Sequence, residues 1–242
     1  MTNDNKKQKL SKSTEPAIAY STCCVSGAVS KDGISLIHGD SLQALKGYGD
    51  NYFDIAIVDP PYGINGGVDN RQAIETKSGN NLRRFARKGG MEWDRNIPPK
   101  EYFDELMRVS KNQIIWGGNY FLDYLGATRC LVCWDKMTYI PSMSQMEVAW
   151  TSFNSHTQYV KINSNQSDRI HISQKPIELY KWLLEKYTKE GDLILDTHLG
   201  SGSIAIACHY MKRKLVGYEI DAEYYEKACK RFKEQTRQIA LW

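Results

Sequence analysis

Leu193-Ile-Leu-Asp196-Thr-His-Leu-Gly200-Ser-Gly202-Ser203 is an apolar run that breaks into two glycines and resumes as a helical stretch. That pattern demands a strand, a tight turn and a helix in direct succession. The flanks repeat the alternation. A helix opens after Pro176 with Ile177, Tyr180, Leu183, Leu184 and Tyr187 on one face. Ser203–Met211 reads as a helix, Leu215–Tyr218 as a strand, and Ala222–Lys233 as a last helix. Strands alternating with helices predict an α/β fold, a mainly parallel sheet with helices on both faces.

Further strands are expected at Ile34–His38, Phe53–Val58, Gln113–Trp116, Cys130–Trp134, Met146–Thr151 and Tyr159–Ile162. Helices are expected from Ser41 and over Glu101–Val109. The polar, Lys-rich residues 1–16 read as a flexible basic arm, and 17–242 as one catalytic domain. At 242 residues, 41% hydrophobic and 25% charged, the chain suits one large globular domain and excludes fibre or wholesale disorder. No apolar run approaches the roughly 18–20 residues of a membrane span and no leader pattern opens the chain, so a cytoplasmic protein is expected.

The glycine turn carries chemistry. Two glycines let the backbone approach a ligand closely, and the helix start offers free N–H groups to an anion. Glu219 closes the next strand nineteen residues after Gly200, where a carboxylate can take both hydroxyls of a ribose. An adenosine-bearing cofactor is the reading. Gly200-Ser-Gly202-Ser-Ile-Ala205 also fits the dinucleotide fingerprint, which keeps a nucleotide-dependent oxidoreductase open. Against it, too few residues follow to build a second mononucleotide half.

Asp59-Pro60-Pro61-Tyr62 follows the Phe53–Val58 strand. The prolines stiffen the loop and leave backbone carbonyls without local N–H competition. An exocyclic amine is a poor nucleophile because its lone pair is delocalised into the ring. The Asp59 carboxylate and Pro60 carbonyl can accept its two protons, drawing the nitrogen towards sp³ with its lone pair aimed at an electrophilic methyl. Tyr62 offers a stacking face for a base turned out of a duplex.

Net charge is a mild +4, but residues 71–88 hold Arg71, Lys77, Arg83, Arg84, Arg87 and Lys88 against Glu75 alone, a local +5. Residues 1–16 add +2, leaving −3 on the rest. A basic stretch directly behind the Asp59–Tyr62 tetrapeptide points to double-stranded DNA.

These segments resemble the β-class DNA amino-methyltransferases. Asp59-Pro-Pro-Tyr62 is similar to their catalytic motif, Asp196-Thr-His-Leu-Gly200-Ser-Gly202-Ser to their S-adenosylmethionine loop, and His171-Ile-Ser-Gln-Lys175-Pro176 to the segment before it. The resemblance spans roughly 34–233. It implies a Rossmann-like methyltransferase sheet with circularly permuted motif order, catalytic motif first and cofactor loop last. The implied activity is methyl transfer to adenine N6, with cytosine N4 or RNA as the near alternative and a non-enzymatic DNA-binding module as the distant one. Asp59, Pro60, Pro61 and Tyr62 would hold the base, and Asp59 would also contact the cofactor. Asp196, His198, Gly200, Ser201 and Gly202 would surround the cofactor's methionine part, Glu219 its ribose and Asp40 its adenine. Ser173, Gln174 and Lys175 would lie near its carboxylate. Residues 63–92 would face DNA and 137–170 would recognise the target. Thr197-His198 replaces the family's usual Pro-Phe. A homodimer is compatible with the class.

Trp93 and Trp134 read as core, and Lys136 as a phosphate contact. Cys130 and Cys133 form a CxxC that could join Cys23 and Cys24 at zinc. Within a strand, however, positions three apart face opposite sides, so buried thiols and no metal are expected. The histidines show no ligand spacing. No internal repeat is visible.

Overall fold

The computed structural model describes residues 28–64, 96–138, 144–171 and 173–237. The arm at 1–16, the six basic residues of 71–88, Cys23, Cys24 and Trp93 lie outside them. Nine strands form one sheet: β1 Ala28–Lys31, β2 Ile34–His38, β3 Ile55–Val58, β4 Gln113–Trp116, β5 Leu131–Asp135, β6 Met146–Thr151, β7 Gln158–Lys161, β8 Leu193–Asp196 and β9 Lys214–Glu219. The helices are α1 Ser41–Leu45, α2 Lys100–Val109, α3 Leu122–Leu125, α4 Ile177–Tyr187, α5 Ser203–Tyr210 and α6 Ala222–Gln235.

The spatial order is β1-β2-β9-β8-β3-β4-β6-β5-β7. From β2 to β4 every pairing is parallel, while β6 runs antiparallel to both β4 and β5. The α/β class is therefore as expected, a mixed sheet with a parallel centre. Period-two alternation sorts each central strand between two cores. Ile55, Ile57, Ile114, Trp116 and Ile194 face one side, under α4, α5 and α6. Ala56, Val58, Ile115 and Leu195 face the other, under α1, α2 and α3. Burial on both faces explains why these strands read as continuous apolar runs.

Three local differences from the sequence reading have simple causes. The first strand of the sheet, β1, was not expected. It is a short edge strand joined to β2 through Asp32 and Gly33, both at positive φ, with Lys31 paired to Ile34. The strand expected from Phe53 starts at Ile55, because Phe53 makes only an isolated bridge to Ser110. Between β4 and β5 a 3-10 turn at Gly118–Tyr120 and the one-turn α3 occupy residues for which no element was expected.

Candidate active site

β3 and β8 are parallel neighbours, registered Ile55 to Ile194 and Ala56 to Leu195. Their carboxyl ends therefore open at one edge of the sheet, the place where open α/β sheets bind ligands. Asp59-Pro60-Pro61-Tyr62 leaves β3 there, and the glycine turn leaves β8 beside it. Residues 137 positions apart in sequence, Asp59 and Asp196, thus share one cleft.

Asp59 is held from both sides. Tyr62 Oη donates to its Oδ1 at 2.5 Å and Lys175 Nζ to its Oδ2 at 2.5 Å. The Pro60 carbonyl accepts no bond from the described residues. The Tyr62 ring stacks on the half-exposed Tyr120 ring, centroids 5.1 Å apart and 16° from parallel. It also meets Phe121 edge-on. Burial and the neighbouring Asp59 push the Tyr62 phenol well above its ordinary range, so it stays a donor. This packing requires the Gly117-Gly118 turn after β4. A Cβ on Gly117 would lie 2.2 Å from Tyr62 Cε1, and one on Gly118 would lie 2.3 Å from Trp150 Cβ.

Lys175 sits just before α4, 3% exposed at its side chain, with its ammonium 5.1 Å from the Trp116 ring centroid. Its second partner is Glu147 Oε2 at 3.2 Å. Burial alone favours losing the proton, but the Asp59 and Glu147 carboxylates outweigh it and raise the lysine pKa. Lys136, the expected phosphate contact, has its ammonium 2.5 Å from Glu147 Oε1. Burial pulls the Glu147 carboxyl up; Lys175 and Lys136 prevail and leave it below the ordinary value. Glu147 had no sequence signal beyond a single carboxylate in an apolar strand, Met146-Glu-Val-Ala-Trp150.

On the β8 side, Gly200 and Gly202 adopt φ of +51° and +70°, conformations that L side chains rarely take. The Gly200 amide donates to Glu219 Oε2 at 2.8 Å, and the Asp221 amide to Oε1 at 3.0 Å. Asp196 is 2% exposed and its one hydrogen bond among the described residues comes from the His198 amide. Burial, with Asp59 and Glu219 nearby, lifts its carboxyl to about 8. A buried carboxyl group that burial keeps protonated, with no cation bound to it, is an acceptor that a positively charged ligand would ionise. His198 is tied through Thr197 Oγ1, 2.9 Å from its Nδ1, to Tyr102 Oη at 2.6 Å. Burial lowers its imidazole to about 4.

Not every expected ligand points into the cleft. Asp40 caps α1, its Oδ1 accepting from the Leu42 amide at 2.9 Å. Gln174 spends its amide on Gln166 Oε1 at 2.8 Å and the Ile170 amide at 2.9 Å. Ser173 Oγ lies 2.9 Å from His171 Nδ1. Ser201 lends its carbonyl to the buried Arg231, whose Nη1 is 3.0 Å away and whose Nε reaches Asp168 Oδ2 at 2.9 Å. Arg231 read only as part of an outer helix, yet it ties the glycine turn to the 164–171 segment. Cys130 is buried and Cys133 half-buried, and among the described residues no cluster suited to a metal occurs. No helix among them is long and apolar enough to cross a membrane.

A family model for N6/N4-type DNA methylases matches residues 115–230. The Type II methyltransferase M.HpaI of Haemophilus parainfluenzae is 24% identical over 237 residues, covering 81% of this chain and 73% of that protein. M2.DpnII of Streptococcus pneumoniae is 24% identical over 263 residues, covering 85% and 91%. The family model and these relatives together support a DNA amino-methyltransferase. Solved structures show the same fold for this methyltransferase. The PvuII DNA methyltransferase, described as cytosine-N4-specific, superposes with a TM-score of 0.57 at 14% identity, covering 87% of this chain and 88% of that one. The M1.HpyAVI–SAM complex gives 0.54 at 20%, covering 81% and 98%.

Proposed function

We propose that this methyltransferase transfers a methyl group from S-adenosylmethionine to N6 of an adenine turned out of duplex DNA. One observation carries the reading. The Asp59–Tyr62 acceptor loop and the glycine turn with Asp196 and Glu219 leave adjacent parallel strands at the same sheet edge. Relatives named Type II methyltransferases, and a structural neighbour bound to S-adenosylmethionine, support it.

The residues present fit the cofactor. Asp196 offers a buried carboxylate to a cationic group, Glu219 offers oxygens to a diol, and the positive-φ glycines keep the cradle free of side chains. When bound, S-adenosylmethionine supplies a methyl made electrophilic by its sulfonium. The chain does the rest by positioning and desolvation. Asp59 and the Pro60 carbonyl accept the two amine protons and direct the nitrogen lone pair. Tyr62 stacks on the base. No covalent enzyme intermediate is needed because the amine itself attacks, and its proton leaves to solvent by way of Asp59. The basic residues of 71–88 contact the DNA backbone in this reading.

The test is a reaction with labelled S-adenosylmethionine and unmethylated DNA, followed by nucleoside analysis. N6-methyladenine is expected from the wild type and none from Asp59→Ala, which still binds the cofactor. Labelled N4-methylcytosine would overturn the choice of base; full activity of Asp59→Ala would overturn the mechanism.

A further inference from the structure

Four charges alternate through the largely buried floor of the base site, Lys136, Glu147, Lys175 and Asp59, of which Lys175 is fully buried. Each neighbouring pair is in direct contact, at 2.5, 3.2 and 2.5 Å in turn. Resting on the methyl-transfer reading above, we propose that Glu147 is a positioning residue of the base site: by pairing with Lys175 it holds that ammonium on Asp59 Oδ2 and orients the carboxylate towards the incoming amine.

The geometry argues for orientation as the role of this network. Glu147 lies on β6, paired with Trp134 of β5, in the antiparallel part of the sheet and within the expected target segment 137–170. Asp59 lies beyond β4, at the end of β3. Lys175 bridges the two over the face of Trp116. A buried ion pair contributes little net stability compared with apolar packing, because desolvation offsets its attraction. Its geometric consequence is larger. Without Glu147, the buried Lys175 ammonium keeps Asp59 as its one carboxylate partner and is drawn wholly onto it. The lone pairs needed by the amine are then taken and the carboxylate turns. With Glu147 present, Lys136 is satisfied away from Asp59 and Lys175 is held between two anions, so each Asp59 oxygen carries one partner and keeps a lone pair for the base.

The chain of influence runs through Lys175, which yields a specific test. Methyl-transfer rates at saturating cofactor and DNA are measured for wild type, Glu147→Gln, Lys175→Gln and the double variant, with thermal melting and S-adenosylmethionine affinity measured alongside. Glu147→Gln is expected to lower the rate by ~10- to 100-fold, as misorientation of a reacting group does. Cofactor affinity should stay within about twofold, and the double variant should be no slower than Lys175→Gln alone. Full activity of Glu147→Gln, or losses that multiply in the double variant, would overturn the proposal. If Glu147→Gln melts below the assay temperature, Glu147→Asp carries the same comparison in the Lys175→Gln background. Absence of methylated adenine in the wild-type reaction would overturn the underlying reading, and this proposal with it.

Discussion

The Tyr62 ring lies against the α-carbon of Gly117, so close that a methyl group there would sit 2.2 Å from Cε1. Gly117 also has a φ of +66°. Sequence offers both residues as motif ends on separate strands; only in the folded chain does one make room for the other.

Gly117→Ala therefore acts on the base platform directly. The left-handed backbone costs an alanine about 1–2 kcal/mol, and the ring must shift to relieve the clash. The expected outcome is a modest drop in melting temperature, a methylation rate lowered by roughly tenfold or more, and unchanged S-adenosylmethionine affinity. Calorimetric binding and a methylation assay check the split; cofactor and methylation losses of equal size would contradict it.

Asp196 gives a pH dependence whose direction follows from its burial. Its carboxyl titrates near 8 in the folded chain against 3.8 as the ordinary value. Between those values the folded chain holds a proton that the unfolded chain has released. This contribution to stability is full below about pH 3.8 and is lost as pH rises towards 8. Asp196→Asn removes it, so the difference in melting temperature between variant and wild type should drift in the variant's favour from pH 5 to pH 8. Cofactor binding that needs the ionised carboxylate should strengthen over the same range in the wild type and stay flat in the variant.

His198 works in the opposite sense. Burial lowers it from 6.5 to about 4, so its share of stability is present above 6.5 and lost as pH falls to 4. His198→Phe restores the apolar residue usual in the resembling family and leaves Thr197 paired with Tyr102. Its stability at pH 7.5 should lie within about 1 kcal/mol of the wild type, with a smaller loss on acidification to pH 5. Denaturant unfolding at the two pH values measures this; an identical acid loss would assign the effect elsewhere.

The strands and long helices were legible because their residues alternate or repeat at one period and are buried accordingly. The Asp59 and Asp196 segments were legible because prolines and glycines mark them locally. What could not be read was order in space. Nothing in Met146–Thr151 announces that it inserts antiparallel between β4 and β5, and that insertion alone brings Glu147 to Lys175. The β1–β2 hairpin was readable in principle, since Asp32-Gly33 is a strong two-residue turn signal, but four residues at an edge carry little periodicity. Asp40 shows the converse limit. A carboxylate after a strand reads as ligand or as helix cap; here Oδ1 caps α1, which a ligand at Oδ2 would not disturb.

The adjacency of β3 and β8 has one more consequence. The Asp59 loop and the glycine turn hang from neighbouring strands of a hydrogen-bonded ladder, whose spacing of about 4.8 Å belongs to the backbone itself. No side-chain substitution retunes that length. In the proposed reaction, the separation of the two loops is therefore set by the sheet and not by the side chains that line the site.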